Sequence, residues 1–340
     1  MLRTRITEAY GLSAPFVSAG MALIAGVPMV CAVCAAGGMG VLGAAAMPPQ
    51  QLRMAIRAIR ASGAHMFGVD IIPRFADDAH IAACTEEKVP VVVFFWDEPP
   101  TQWIMQLREA GCRIWVQVGS VAEARRALVN NVDALVAQGS EGGGHNRAAA
   151  ATMSLLPAIV DSAGVTPVIA SGGIADGRAA AAVLALGADA VLVGTRLLAS
   201  HEAYAHEEYK RRVVTAEVHQ TARHRIFGIE FPDASVRGLR NEIVRIWEGK
   251  DDPPPYKRIA VDDLPVIGEA NVFGKVLPLR QFMGFPPTPD FKGDFEQMSL
   301  LAGESVGQTY EIKGAGEIVR EIIEGAEEVI QRRLLPMIQK

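Results

Sequence analysis

Ala170-Ser171-Gly172-Gly173-Ile174-Ala175-Asp176-Gly177 is a short apolar run that breaks on a glycine pair and passes straight into a helix-forming segment over 177–186. A second run, 190–193, stops on Gly194-Thr195-Arg196. Both put bare backbone amides at the carboxyl end of a strand beside a helix start, where orphan N–H groups and the helix dipole favour an anion. Working outward, apolar runs recur at 16–18, 40–42, 66–71, 91–95, 113–118, 134–137, 168–170 and 190–193, starting roughly every 20–35 residues. Amphipathic segments such as 120–130 lie between them. Eight strands, each followed by a crossover helix, predict an α/β protein closed as a (β/α)8 TIM barrel; a doubly wound open sheet is the competing topology. In such a barrel the loops after the seventh and eighth strands are the usual phosphate site. The glycine pair and Gly194-Thr195 are therefore candidates to hold a phosphorylated cofactor or substrate, against the plainer reading that the glycines only make turns.

The loop after the sixth run, Gln138-Gly139-Ser140-Glu141-Gly142-Gly143-Gly144-His145, is more specific. Three successive glycines let the backbone approach a flat ligand that any Cβ would obstruct. His145 is then presented at the carboxyl end of the sheet, where barrel catalysts sit, and imidazole is suited to moving a proton near neutral pH. His65, His80, His201, His206, His219 and His224 have no comparable setting and read as structural. Cys31-x-x-Cys34 lacks a second pair and lies in a uniformly apolar helix, so it reads as core rather than zinc or redox site; no H-E-x-x-H or P-loop motif occurs, and no metal is expected. Gly37-Gly38-Met39-Gly40 enters a strand instead of leaving one, which is not a dinucleotide fingerprint. Glu86-Glu87 reads as a solvated helix end.

Beyond about residue 205 the rhythm changes. Residues 206–250 are rich in charge, with Val236, Leu239, Ile243 and Trp247 at helical spacing. Two proline clusters, Asp252-Pro253-Pro254-Pro255-Tyr256 and Phe285-Pro286-Pro287-Thr288-Pro289, mark loops. A regular helix returns from Glu317 with Ile318, Ile322 and Val329 on one face. This predicts a barrel from 1–207 plus 296–340, with 208–295 as an added, mainly helical lobe. Of the 340 residues half are apolar and 21% charged, enough for a large core and incompatible with disorder or a disulfide-stapled miniprotein. The net charge is −5 and no basic stripe appears, which argues against nucleic acid or an anionic membrane as partner. Four cysteines without framework spacing point to a reducing, cytoplasmic setting. No charged residue falls between Glu8 and Arg53, but Pro15, Pro28, Gly20, Gly26, Gly37, Gly38, Gly40 and Gly43 interrupt that stretch, so it reads as buried core and not as a membrane span or export signal.

Taken together, Ala35-Ala36-Gly37-Gly38-Met39-Gly40, Phe67-Gly68-Val69, the 138–145 loop, Ser171 to Gly177, Gly187-Ala188-Asp189-Ala190, Gly194-Thr195-Arg196 and Leu301-Ala302-Gly303-Glu304-Ser305 resemble the FMN-dependent nitronate monooxygenases, formerly called 2-nitropropane dioxygenases. The likeness runs over almost the whole chain and is weakest in the middle lobe. It implies FMN with its phosphate on Gly172-Gly173 and Gly194-Thr195, its ring lined by Ala19, Gly20 and Met21, and Gln117 near the pyrimidine edge. Gln138, Gly139, Gly143, Gly144 and Ser171 complete the implied cofactor contacts. His145 matches the family's active-site histidine, base or orienter of the nitro group. The implied reaction is oxidation of a small nitronate with dioxygen to a carbonyl compound and nitrite, the flavin supplying the redox step. A homodimer is left open.

The chain departs from that pattern. The family commonly has alanine where Gly142 stands, glycine shortly after its histidine where this chain has Asn146-Arg147, and asparagine where Asp70 stands; Phe95-Trp96-Asp97-Glu98 replaces a smaller segment. Trp96 and Arg147 are expected to reshape the pocket. The same barrel and glycine–histidine loop resemble flavin enoyl-thioester reductases and NADH:quinone reductases, and Arg147 suits the carboxylate- or phosphate-bearing substrates of such enzymes. Relatives of the IMP dehydrogenase type need a cysteine in the loop after the sixth strand, and here there is none. A flavin- or phosphate-binding module without catalysis is the reading that His145 opposes.

Overall fold

The computed structural model describes residues 2–231, 234–250 and 257–338. Eight parallel strands, β1 (Phe16–Ser18), β2 (Gly40–Gly43), β3 (Phe67–Ile71), β4 (Val91–Phe94), β5 (Arg113–Val118), β6 (Ala134–Gln138), β8 (Val168–Ser171) and β9 (Ala190–Val193), form one sheet in the order β1-β9-β8-β6-β5-β4-β3-β2. The two edges meet: Val17 bridges Met39 in parallel, the Ser18 N–H donates to the Met39 carbonyl at 3.0 Å, and the Met39 N–H donates to the Phe16 carbonyl at 2.8 Å. The sheet is thus a closed (β/α)8 barrel, as the strand spacing predicts. A two-residue strand, β7 (Gly144–His145), leaves it for another sheet.

The strands read as unbroken apolar runs because both faces are buried. Val17, Met39, Val41, Val91, Val93, Trp115, Val136 and Ile169 fill the barrel interior, while alternate residues such as Leu42, Val69, Val92, Phe94, Ile114 and Leu135 pack outward under the helices. The helix Arg5–Tyr10 plugs the amino-terminal end: Ile6 is fully buried, and the Trp115 indole N–H donates to the Tyr10 hydroxyl at 2.7 Å. The helix Val27–Ala35 carries Cys31 and Cys34, both half-buried free thiols. The last long helix, Ala315–Val329, buries Ile318, Ile322 and Ala326 and crosses the helix Gly177–Ala185 at Gly177, where a Cβ would sit 2.2 Å from the Gly325 carbonyl carbon. Among the described residues no helix is long and apolar enough to cross a membrane.

The segment between β9 and that helix differs from its expected mainly helical character. It does hold helices at Glu207–Thr215 and Glu242–Trp247. It also holds β10 (Thr221–His224), β11 (Val236–Leu239), β12 (Val266–Val272), β13 (Lys275–Arg280) and β14 (Lys292–Gly293), arranged in two three-stranded antiparallel sheets, β10-β11-β7 and β13-β12-β14. Val236 and Leu239, placed on a helix face by their spacing, are strand residues; Gly238 between them lets β11 close on the Leu300 carbonyl, 2.7 Å from where a Cβ would sit. Phe285–Pro289 is a loop. The cluster Asp252–Tyr256 lies outside the described residues.

Candidate active site

At the carboxyl ends of the barrel strands lies a cavity of about 260 Å³. Ala19, Gly20 and Met21 line it after β1, Gln117 from β5, Gln138 at the end of β6, Gly143, Gly144 and His145 from the following loop, Ser171, Gly172 and Gly173 after β8, and Gly194 and Thr195 after β9. Gly139 is not part of that wall. A Cβ there would lie 2.1 Å from the Thr152 hydroxyl, so its glycine serves packing.

The phosphate end differs in detail from the simple helix-start picture. The helix Gly177–Ala185 is already capped: the Asp176 carboxylate accepts from the N–H groups of Arg178 and Ala179. The amides available to an anion lie before it. Gly172 and Gly173 hold φ of +100° and +76°, a region that favours glycine, and their N–H groups donate to no backbone oxygen among the described residues. The short helix Thr195–Leu198 begins at Gly194 with no side-chain cap, while the Thr195 hydroxyl accepts from the Gly303 N–H at 2.9 Å. At the other end, a Cβ on Gly20 would sit 2.3 Å from the Asp70 Cβ, so glycine is what lets the β1 loop and the buried Asp70 share one wall.

His145 is held from two directions. It pairs with Val236 across β7 and β11, so the inserted segment fixes its backbone. Its ring stacks on Phe231 at 3.8 Å between centroids and meets Trp96 edge-on at 5.6 Å. Nε2 is sealed from solvent and has no hydrogen-bond partner among the described residues. Burial, reinforced by the Arg74 charge, lowers the imidazole to about 3, so it is neutral throughout the physiological range. Next in sequence, Asn146 is fully buried and staples the loop: its Nδ2 donates to the carbonyls of Gly139 (2.8 Å) and Gly142 (3.0 Å), and its Oδ1 accepts from the Ala148 N–H (2.9 Å).

Two carboxyl groups also line the cavity, Asp70 from β3 and Glu230 from the inserted segment, and burial pushes both upward, Asp70 strongly. Glu230 accepts from the Gly284 N–H through Oε2 at 2.9 Å and leaves Oε1 buried without a partner. The Phe231, Glu230 and Gly284 contributions escaped the sequence reading, since no local pattern marks them. Trp96 and Arg147 do not line this cavity. Trp96 backs the His145 and Phe231 rings, and Arg147 lies over Trp96 at 5.4 Å, bonded to the Trp96 carbonyl and paired with Glu123 at 3.3 Å.

Residues 72–325 match the nitronate monooxygenase family. The chain belongs to that family. It is accordingly an oxidoreductase of a flavoprotein family. Among curated relatives, it is 38% identical over 218 residues to the (3aS,4S,5R,7aS)-5-hydroxy-7a-methyl-1-oxo-octahydro-1H-indene-4-carboxyl-CoA dehydrogenase of Mycobacterium tuberculosis, a match spanning 63% of this chain and 61% of that one. It is 35% identical over 246 residues to nitronate monooxygenase npaC of Metarhizium robertsii, covering 64% of this chain and 69% of the relative. Among solved structures, FabK from Thermotoga maritima superposes over 99% of this chain and 100% of its own, with a TM-score of 0.83 and 33% identity. The family therefore includes relatives named for a thioester and for a nitronate, and its membership leaves the choice to the cavity.

Proposed function

We propose that this chain binds FMN and uses it in two-electron oxidation or reduction beside the carbonyl of an acyl thioester or a similar neutral carbonyl compound. The residues fit the cofactor: the free amides of Gly172 and Gly173 and the uncapped start at Gly194 would take its phosphate, and Ala19, Gly20, Met21, Gln117 and Gln138 would line its ring. Burial pushes the Asp70 carboxyl well above the usual carboxylate range, and in its acid form it would offer the donor and acceptor that an asparagine amide does. When bound, FMN supplies the electron-pair chemistry. Four free thiols agree with work in a reducing cytoplasm.

The observation that carries the substrate class is the charge state of the cavity. No lysine or arginine lines it among the described residues, and His145, Asp70 and Glu230 are all driven toward their neutral forms. A nitronate would have to leave water as a full anion and enter without a counter-charge. A thioester carbonyl enters neutral, and Ile72, Phe75 and Phe285 receive its apolar chain. An imidazole lowered to about 3 is a poor base, so His145 acts as a hydrogen-bond donor. Its Nε2–H, in the tautomer that carries the proton there, would polarise the carbonyl oxygen once the substrate displaces the packing that now seals it, an interaction that strengthens as charge develops.

A second reading, oxidation of an alkyl nitronate with dioxygen to a carbonyl compound and nitrite, is favoured by the family match and by the npaC relative. Anaerobic mixing separates the two. The purified flavoenzyme is offered butyryl-CoA, and, after reduction by NADPH or dithionite, crotonyl-CoA; propyl nitronate is given in a separate cell. Flavin turnover with either thioester sustains the proposal. Bleaching by propyl nitronate alone, or reaction with none of the three, overturns it.

A further inference from the structure

Behind the turn that follows β1 lies a second cavity, of about 270 Å³. Three chain segments supply neighbouring residues to both cavities. After β1, residues 22–24 line the first, and 23, 25 and 26 line the second. At the end of β2, Ala45 and Ala46 line the first, and Gly43 and Met47 the second. In the inserted segment, residues 284–286 line the first and Thr288 the second. The two cavities therefore stand back to back across a thin partition. Part of it is backbone against backbone, since a Cβ on Gly43 would lie 2.2 Å from the Met21 carbonyl oxygen. Among the described residues, Leu23 is the one that lines both cavities. Its φ of +64° lies in the left-handed region, which a leucine adopts only where its surroundings impose it. Here they do: the Ile24 and Ala25 N–H groups donate to the Met21 carbonyl at 3.1 and 2.8 Å, and the Ile24 carbonyl accepts from the Tyr204 N–H at 3.0 Å. Ala46, on the neighbouring loop, is held in the same region with φ of +59°. Residues other than glycine held there cluster at active sites and ligand clamps.

We propose that Leu23 is a specificity-determining residue: its side chain closes the active-site cavity off from the second one and so sets the length of apolar chain that the site accepts. The proposal rests on the reading of the first cavity as the site of a carbonyl compound with an apolar chain. Phe285 lies in the wall that would receive that chain, and its loop runs on to Thr288 in the second cavity, so the chain points toward the partition. A smaller residue at position 23 would join the two spaces and let the chain run on past Ala25 and Met47. The end that enters carries no negative charge. No lysine or arginine lines the second cavity among the described residues, and Asp290 stands in its wall, accepting from the Tyr204 hydroxyl at 2.5 Å. An anionic chain end would meet that carboxylate without a counter-charge.

The test measures the binding of straight-chain 2-alkanones, from butanone to decanone, to the oxidised flavoenzyme by titration calorimetry. Wild-type affinity is expected to rise by roughly three- to fourfold per added methylene until the chain meets Leu23, and to stop rising there. Leu23→Ala should carry the rise on for at least two further carbons, a gain of roughly tenfold or more for the longest ketones. Leu23→Phe should move the break to shorter chains. Leu23→Gly opens the partition and also relieves the positive φ, so it should show the Leu23→Ala profile, unfold no earlier than wild type, and serve where the alanine variant folds poorly. Length profiles that coincide in wild type and the variants, or a wild-type profile with no break, overturn the proposal. A break that moves with residue 23 in an enzyme that reacts with no thioester refutes the thioester reading and leaves the partition standing. Thioester turnover with an unmoved break does the reverse, and failure of every protein to bind any ketone overturns both.

Discussion

Asn146 is where a small change should have a large effect. Its side chain makes three hydrogen bonds from a fully buried position and ties both ends of the glycine loop to the residue that follows His145. Asn146→Ala removes all three and leaves the Ala148 N–H unpaired. At about 1 kcal/mol net per bond, with an added cost for the orphaned donor, the loss is about 3–4 kcal/mol, or roughly 150- to 900-fold in the folded ratio. Asn146→Asp is the sharper probe, because it keeps the shape and turns a donor into an acceptor facing two carbonyl oxygens. Its folded pKa must rise, so the penalty is small at pH 4 and grows as pH climbs through the usual carboxylate range toward the folded value. Denaturant unfolding from pH 4 to 8, with flavin retention followed in parallel, measures both. A pH-independent Asn146→Asp, or an Asn146→Ala within 1 kcal/mol of wild type, refutes the staple. Turnover should fall further than stability explains, since displacement of a catalytic group by about 1 Å costs on the order of 10²-fold.

His145→Ala should retain flavin and lose about 10²–10³-fold in turnover, the usual scale for one lost donor to a developing oxyanion; a loss under tenfold removes its role. Because the imidazole is held at about 3 against an ordinary value near 6.5, its folded form resists protonation, and the stability this residue confers above pH 6.5 is lost as pH falls toward 3. His145→Gln should flatten that acid limb in unfolding experiments, and the wild-type rate should show no histidine titration between pH 5 and 8. Asp70→Asn should keep its flavin and be more stable than wild type at pH 8, with the gap closing toward pH 4, since the buried carboxyl disfavours ionisation on folding. Gly177→Ala drives a Cβ into the backbone at Gly325 and should cost about 1–3 kcal/mol or more, read by denaturant unfolding of the holoenzyme.

The barrel is legible because each strand is buried on both faces and so spells an uninterrupted apolar run between turn residues, at a spacing that one crossover helix imposes. The glycine pair after β8 is legible for a related reason: Gly172 and Gly173 hold positive φ, and that need is written as glycine. Gly139 shows the limit of that code, because a glycine required by the nearby Thr152 looks the same in sequence as one required by a ligand. The Asp176 cap was readable as an acidic residue just before a helix, yet its effect, closing that helix start to an anion, follows only from the bond it makes. Val236 and Leu239, three apart, satisfy a helix face and a strand about equally well. What decides between them is the pairing of β11 with β10 along its whole length, extended at Val236 and Arg237 by β7 from far earlier in the chain. The same pairing hides Glu230 and Phe231, whose meaning depends entirely on which barrel loop the inserted segment comes to lie against.

That pairing also divides the site by origin. One part of the cavity wall, from Ala19 through Thr195, stands on barrel strands and their turns, where backbone geometry fixes the residue types. The rest is completed by Glu230, Phe231 and Gly284 from the inserted segment, whose strand also sets the backbone of His145. Substitutions in the insert are therefore expected to alter the part of the wall it supplies while leaving the barrel loops in place. No lysine or arginine lines the cavity among the described residues, and burial drives His145, Asp70 and Glu230 toward their neutral forms, which supports the carbonyl substrate proposed above.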